Sequence, residues 1–213
     1  MVKKPFLIGI GGGTGSGKST LVDALLSYFG ADKIMVISQD HYYKDLSHLP
    51  EEERQQNNFD HPNALDTHLL FEHIRNLSAG RIVERPTYDF SSHTRTSDTV
   101  SLKPMEIILF DGIFSLYYKD ILNLLHFKIY VSVDDDIRFI RRLQRDQELR
   151  GREVDSIISQ YLESVRPMHY KYVKPSKHNA DIIIPFSQKD PGGIDAIKSL
   201  IKEKLEKAGI FCK

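Results

Sequence analysis

FLIGIGGGTGSGKST, residues 6–20, is the stretch that decides the fold of this chain. It opens with a short apolar run and then matches the phosphate-loop motif G-x-x-x-x-G-K-[ST] from Gly12 to Ser19. Apolar residues at helical spacing follow, from Leu21 to Phe29. A glycine-rich turn with a chance Lys-Ser pair is the alternative interpretation. Because the motif lies between a strand pattern and a helix pattern, the context favours a phosphate-binding loop.

The residue types in this motif suit a nucleoside triphosphate. Glycines let the backbone wrap so that its N–H groups converge on the β-phosphate, and the following helix points its N-terminus at the same anion. We expect Lys18 to bridge the β- and γ-phosphates and the Ser19 hydroxyl to bind Mg²⁺. The predicted nucleotide-binding residues are Gly12, Gly13, Thr14, Gly15, Ser16, Gly17, Lys18, Ser19 and Thr20.

The composition shows no strong electrostatic bias. The 213 residues suffice for a sizeable core, and we expect a single domain over residues 1–213. Lysine plus arginine and aspartate plus glutamate number 29 each, which argues against a nucleic-acid or anionic-membrane partner. The single cysteine, Cys212, favours a reducing, cytoplasmic compartment. The apolar run after Lys3-Lys4 is too short for a signal peptide, and no stretch approaches the length of a membrane span.

The order of predicted elements is typical of an α/β protein. Alternation and a high content of Thr, Val and Tyr predict a small β-excursion around 81–103. Alternating strands and helices predict a three-layer fold with a mainly parallel sheet and ligands at the carboxyl ends of its strands. The predicted strands are 6–11, 33–38, 106–111, 127–133 and 181–184. The predicted helices are 17–29, 66–79 with Asp66 as N-cap, 119–125, one from Asp134, one from Val154 to Val165, and 193–207.

Two aspartates follow predicted strands. Asp111 ends the strand 106–111 beside the phosphate loop, where a second acid on the Mg²⁺ side of such sites lies. Asp40 follows the strand 34–37, so it could reach a substrate hydroxyl that faces the γ-phosphate and act as a general base. Turn formation after a strand is the alternative for both residues.

Arginines form a stripe on the helix that begins at Asp134. Such a stripe is usually a solvated face, and Asp134 with Arg138 forms a plausible i,i+4 pair. A phosphoryl-transfer enzyme also needs mobile cations that neutralise the γ-phosphoryl group and exclude water. We therefore predict a helical lid around 146–153. The stripe consists of Arg138, Arg141, Arg142 and Arg145, and Arg150 and Arg152 flank Gly151 just beyond it, which makes the lid a helix–Gly–helix segment.

GTPase switching is the main competing use of a phosphate loop. The sequence has no Asn-Lys-x-Asp segment for reading guanine. Its only Asp-x-x-Gly, Asp190 to Gly193, follows the last predicted strand rather than the strand that ends at Asp111. The pattern therefore does not favour a GTPase.

Several long segments together resemble the uridine kinase (uridine–cytidine kinase) family. The resemblance runs from the phosphate loop to Ile184 and depends on separated segments in the family's order, which are far more specific than the loop alone. These segments are SQDHYYKD (38–45), NFDHPNALD (58–66), RPTYDFSSHTR (85–95), FDGI (110–113), RRLQRDQELRGR (141–152) and SQYLESVRPMHYKYVKPSKHNADIIIP (159–185).

The resemblance implies a role for each matching position. Asp40 would activate the ribose 5′-hydroxyl with Tyr43 nearby, and Asp60 and Arg142 would hold the 2′- and 3′-hydroxyls. The other implied contacts are Tyr88, Phe90 and His93 in the pyrimidine pocket, Arg152 and Gln160 on the lid side of the nucleoside, and Arg145 and Arg150 at the triphosphate. Taken locally, Tyr88, Phe90, His93 and Asp60 are also consistent with a strand face, a loop and a turn.

One position departs from the family pattern. Family members usually have Glu where this chain has Asp111, so the charge is kept with a reach one methylene shorter. Contact of this carboxylate with the metal could therefore go through water.

The resemblance implies a kinase that uses ATP or GTP with Mg²⁺ to phosphorylate uridine and cytidine in pyrimidine salvage. It also implies a cytoplasmic homotetramer with feedback inhibition by pyrimidine triphosphates. Two alternatives remain open. One is a related phosphate-loop kinase acting on phosphoribulose or pantothenate, which would lack the segment from Tyr88 to His93. The other is a non-catalytic nucleotide-binding regulator, which should have lost Asp40 or Lys18; both are present.

Overall fold

The computed structural model describes residues 4–185 and 192–210 of the chain. Cys212 and Asp190 lie outside the described residues. The strands are β1 Phe6–Gly11, β2 Ile34–Ser38, β3 Val83–Asp89, β4 Thr94–Leu102, β5 Ile107–Asp111, β6 Phe127–Ser132 and β7 Ile182–Pro185. Five of them form one parallel sheet in the order β2-β5-β1-β6-β7. The predicted sheet is confirmed.

Helices cover both faces of this sheet. The α-helices are α1 Lys18–Phe29, α2 Glu51–Gln55, α3 Thr67–Ser78, α4 Lys119–Leu122, α5 Asp135–Arg150, α6 Val154–Gln160, α7 Arg166–Met168 and α8 Gly192–Lys207. Asp66 caps α3 as predicted, because its side chain accepts a hydrogen bond from the Leu69 N–H. Two π-helical segments, Tyr161–Val165 and His169–Val173, flank α7. Short 3₁₀ turns are Gln39–Tyr42, Pro62–Ala64 and Pro175–Asn179.

The hydrophobic core has one layer on each face of the sheet. All six residues of β1 are buried, and its side chains alternate between the two layers, as a central strand requires. Ile8 packs in the layer that α1 and α8 cover, whereas Leu7 packs in the layer that α3 and α4 cover. This arrangement is the three-layer architecture that the sequence predicts.

The predicted β-excursion is a separate two-stranded antiparallel sheet, β3 with β4. Its register shifts between Pro86 and Tyr88, and such an irregularity re-aims the side chains beside it. His93, just before β4, has a φ of 55°, the only positive φ of a non-glycine residue in the described chain. Left-handed backbone is strained for an ordinary residue and clusters at functional sites.

Within residues 4–185 and 192–210, none of the helices combines the length and the apolar character needed to cross a bilayer.

Candidate active site

The phosphate loop lies between β1 and α1, as the motif predicts. Gly15 and Gly17 have φ values of 72° and 95°, and a Cβ on Gly15 would lie 2.3 Å from the backbone oxygen of Arg138. These positions therefore require glycine. The Lys18 ammonium donates to the Gly13 carbonyl at 3.1 Å. Burial lowers the pKa of Lys18, and the negative charges of Asp111 and Asp40 partly offset this.

The start of α5 packs against the back of the phosphate loop. Arg138 is 2% exposed, and its guanidinium donates to the Thr14 carbonyl at 3.3 Å and to the carboxylate of Asp135. A Cβ on Gly13 would lie 2.4 Å from this guanidinium. Two expectations are therefore wrong: Arg138 is not on a solvated face, and its partner is Asp135 rather than Asp134. Arg138 is thus buried against the phosphate loop and hydrogen-bonded to it, rather than exposed to solvent.

The carboxyl ends of three adjacent strands bring the two predicted aspartates together. Residue 38 of β2 is opposite Asp111 of β5, and Ile10 of β1 is opposite Asp111 on the other side. Asp40 follows two residues after β2, in the 3₁₀ turn. Burial raises the pKa of Asp111 to about 6, while the Lys18 charge lowers it. Both aspartates and Lys18 thus share one electrostatic environment.

A magnesium ion fits this corner of the site. Asp111 Oδ1 is buried without a hydrogen-bond partner, and the exposed Ser19 lies in the first turn of α1. The described residues contain no cluster of three or more His, Cys, Asp or Glu side chains that could hold a metal alone. Magnesium commonly binds through one or two protein groups with the remaining positions filled by phosphate and water, so this sparse donor set suits it.

Asp60 and Arg142 lie close enough on the predicted nucleoside side of the site that each affects the pKa of the other. Burial raises the pKa of Asp60, and the Arg142 charge opposes that rise, as expected for neighbouring groups. Arg142 is 6% exposed and donates to Gln160 Oε1 at 2.8 Å. The same oxygen accepts from Arg152 at 2.7 Å. The structure therefore brings four of the predicted substrate residues together, and Arg142 is not on a solvated face.

Aromatic side chains form a cluster beside Asp60. Tyr43 packs against Tyr88 with ring centroids 5.3 Å apart, and Phe90 packs edge-on against Tyr88 at 5.3 Å. His93 stacks on Phe59 at 4.6 Å with an interplanar angle of 19°. Phe59 also meets the edge of Tyr43. We call these five residues the aromatic slot; it contains the predicted Tyr43, Tyr88, Phe90 and His93.

Phe59 was not predicted to be a site residue. Its signal in the sequence is its position immediately before Asp60, inside a segment already singled out. A second unpredicted residue, Arg95 of β4, joins the hairpin to the turn after β2. It donates to the Tyr43 carbonyl at 2.9 Å and pairs with Asp66 at 3.1 Å. The aromatic slot is thus held to the loop that carries Asp40.

A third unpredicted residue, Asp146 of α5, lies fully buried among the lid arginines. Its Oδ1 accepts two hydrogen bonds from Arg145, at 2.9 and 2.8 Å. The guanidinium groups of Arg142, Arg150 and Arg152 lie 3.5, 3.5 and 3.7 Å away. The helix–Gly–helix segment predicted as a lid is present, with Gly151 in left-handed conformation at the end of α5. Its movement remains a prediction.

Together these groups can bind a nucleotide phosphate chain and hold a second, hydroxyl-bearing molecule against it. The phosphate loop, the carboxylates at adjacent strand ends and the arginine-bearing helical segment define the class of phosphate-loop kinases. A family model for the phosphoribulokinase/uridine kinase family matches residues 7–190. The chain belongs to this family and is a kinase.

Relatives of known name support this assignment. The uridine kinase of Clostridium tetani is 51% identical over 208 residues, which cover 98% of this chain and all of that protein. The uridine kinase of Geobacillus kaustophilus is 46% identical and covers 99% of this chain, again over its own full length.

Solved structures extend the likeness at the level of the fold. Phosphoribulokinase from Rhodobacter spheroides superposes with a TM-score of 0.63 at 15% identity, covering 89% of this chain and 74% of its own. D-glycerate 3-kinase from Cryptococcus neoformans gives 0.60 at 14% identity, covering 84% and 81%. The α/β phosphate-loop fold is confirmed.

Proposed function

We propose that this kinase is a uridine kinase, which transfers the γ-phosphate of ATP or GTP to the 5′-hydroxyl of uridine or cytidine. The products are UMP or CMP, formed in pyrimidine salvage by a single-domain cytoplasmic enzyme that assembles as a homotetramer. The high identity to uridine kinases over the full length supports the reaction. The observation that supports a nucleoside as acceptor is the aromatic slot beside Asp60 and Arg142. The slot offers aromatic faces for stacking, and these two side chains offer hydrogen-bonding groups next to it.

The nucleoside is held by groups that match its two parts. Asp60 accepts from the ribose 2′- and 3′-hydroxyls and Arg142 donates to them, while Arg152 and Gln160 enclose the nucleoside from the lid side. The pyrimidine ring lies in the aromatic slot, where the rings of Tyr88, Phe90 and His93 provide faces and edges for a flat heterocycle. Within the slot, Tyr43 is close to both Asp40 and Asp60: burial raises the pKa of its phenol, and the charges of these two carboxylates raise it further.

Phosphoryl transfer depends on positioning and charge. Asp40 takes the proton of the 5′-hydroxyl as that oxygen attacks the γ-phosphorus, and the bond from the γ-phosphorus to the β,γ-bridging oxygen breaks to release ADP or GDP. Lys18 bridges the β- and γ-phosphates, and Arg145 and Arg150 stabilise the negative charge that develops on the transferred group. The backbone N–H groups of the phosphate loop hold the β-phosphate.

A magnesium ion would be held by the Ser19 hydroxyl and by Asp111, directly or through water. When bound, it neutralises charge between the β- and γ-phosphates. Burial without a partner is unfavourable for Asp111 Oδ1 alone, which supports the assignment of this carboxylate to a cation.

A coupled assay of ADP release against uridine, cytidine, adenosine, ribulose 5-phosphate and pantothenate tests the proposal. We expect turnover with uridine and cytidine only, because the slot suits a flat pyrimidine. Preferred turnover of ribulose 5-phosphate or pantothenate would replace the proposal with a related kinase, and no turnover with any acceptor would support a nucleotide-binding regulator.

The role of Asp40 is tested in the same assay. Asp40→Asn preserves the shape of the site but cannot accept the hydroxyl proton, so turnover should fall by about 10²–10⁴. The Kd for uridine, measured by calorimetry, should stay within about threefold of wild type. A threefold change in Kd corresponds to about 0.6 kcal/mol, and the substitution should remove no binding contact worth much more than that. Turnover of Asp40→Asn within threefold of wild type would remove Asp40 from the mechanism.

A further inference from the structure

The lid arginines depend on a single carboxylate. Asp146 has no exposed surface, and four guanidinium groups surround it: Arg142, Arg145, Arg150 and Arg152. A buried carboxylate is strongly unfavourable unless charged partners and hydrogen bonds compensate it. Here the compensation comes entirely from arginines of α5 and the residues just after it. The arginines around Asp146 are therefore what stabilises its buried charge.

The four arginines are not held equally. Arg142 and Arg152 have a second acceptor in common, Gln160 Oε1, at 2.8 and 2.7 Å. Within the described residues, Arg145 and Arg150 have ion-pair contacts with Asp146 alone. Removal of the Asp146 charge should therefore release the second pair and leave the first pair in place.

Repulsion between the arginines explains why a carboxylate is needed among them. Four guanidinium groups repel one another, and Arg142 and Arg145, three residues apart on α5, are neighbours on the helix surface. One central carboxylate offsets part of this repulsion and leaves a strong positive excess. Arg145 commits two nitrogens, Nε and Nη2, to Asp146, and Arg150 is 53% exposed at the side chain and held only at 3.5 Å. Both groups can therefore meet a second anion.

We propose that Asp146 is a positioning residue, which gathers Arg145 and Arg150 where the γ-phosphoryl group will lie before the nucleotide binds. Preorganised charges cost no reorganisation at the moment of reaction, so their loss lowers the rate of transfer more than it weakens substrate binding. This inference rests on the proposed function in placing Arg145 and Arg150 at the triphosphate.

Asp146→Asn tests the proposal, with Glu148→Gln as the control. Both variants change a carboxylate to an amide on α5, but Glu148 is exposed. We expect kcat of Asp146→Asn to fall about 10- to 100-fold, by analogy with the loss of a group that orients metal ligands. The KM for uridine should stay within about threefold, since Gln160 still holds Arg142 and Arg152. Glu148→Gln should match wild type in both parameters.

Three results would overturn the proposal. The first is a kcat within twofold of wild type. The second is a rise in the uridine KM as large as the fall in kcat, which would indicate general damage. The third is tighter ATP binding with unchanged kcat, which would show that Asp146 competes with the triphosphate.

Two further measurements keep the test decisive. If Asp146→Asn does not fold in a circular dichroism melt, Asp146→Glu keeps the charge but displaces it, and it should lower kcat with the same KM pattern; wild-type kcat would refute positioning. Wild-type turnover of uridine is measured first. If it is absent, the proposed function fails, and the kcat and KM comparison is made with whichever acceptor the panel identifies.

Discussion

Asp111→Asn should stabilise the ligand-free protein at neutral pH while impairing its activity. Burial raises the pKa of Asp111 to about 6 from an ordinary value of 3.8, so the ionised carboxylate is unfavourable in the folded chain. In the unfolded chain the same group loses its proton near pH 4. The folded state therefore loses stability as pH rises from about 4 to about 6, and an asparagine has no proton to lose.

The size of this effect follows from the two pKa values. The difference between about 6 and 3.8 is about 2.2, which at 1.36 kcal/mol per pH unit corresponds to roughly 3 kcal/mol as an upper limit. This figure of roughly 3 kcal/mol already includes the attraction between Lys18 and Asp111, because that attraction lowers the pKa from which the figure is worked out. For a chain of this size, roughly 3 kcal/mol raises Tm by about 6–12 °C.

Urea unfolding at pH 4.0 and 7.5, with EDTA and without nucleotide, measures the difference. The two proteins should have the same free energy of unfolding at pH 4.0, and Asp111→Asn should be more stable at pH 7.5. Asp98→Asn, an exposed change on the hairpin, is the control and should alter stability by no more than about 0.5 kcal/mol at either pH. Equal or lower stability of Asp111→Asn at pH 7.5 would show that burial does not disfavour the ionised form of this carboxylate.

Further predictions concern the acceptor and the phosphate loop. In the proposed site Asp60 and Arg142 hold the ribose hydroxyls, so kcat/KM for 2′-deoxyuridine should fall by up to about 10⁴; values comparable to uridine would show that the pair is misplaced. A neutral imidazole offers one donor and one acceptor, so wild type should use both uridine and cytidine, and His93→Tyr should shift their kcat/KM ratio against uridine; an unchanged ratio would separate His93 from base reading. Gly15→Ala should weaken ATP binding about tenfold or more, because left-handed backbone costs about 1–2 kcal/mol and its Cβ would meet the Arg138 carbonyl; calorimetric affinity equal to wild type would contradict this.

The sheet and its helices could be predicted because their signals are local. Apolar runs gave β1 and β5, and helical spacing with an N-cap gave α3 to within a residue or two. The phosphate loop was predictable since its motif states both the residues and the flanking elements. The meeting of Asp40 with Asp111 followed from one further rule, that parallel strands end at the same edge of a sheet.

The environment of the arginines could not be predicted, because it depends on contacts distant in sequence. Arg138 is buried against Thr14, and Arg142 against Gln160, and nothing in the helical pattern distinguishes them from solvated arginines. Asp146 carried a signal that could have been used: arginines occur four residues before it, one before, four after and six after. An acid with arginines at helical spacing on both sides is therefore worth testing as a buried counter-ion.

The β3–β4 hairpin is separate from the main sheet. In the proposed site, the residues that contact the acceptor can therefore change independently of those that bind the phosphates. Tyr88, Phe90 and His93 lie on or beside a two-stranded sheet that shares no hydrogen-bonded ladder with the strands carrying the phosphate loop. Mutations in the hairpin turn can thus reshape the aromatic slot while the transfer chemistry is preserved. Arg95 ties the hairpin to the Asp40 loop, in addition to the packing of Tyr88 on Tyr43. A library that varies residues 88–93 and keeps Arg95 would sample new acceptors on a working phosphotransferase.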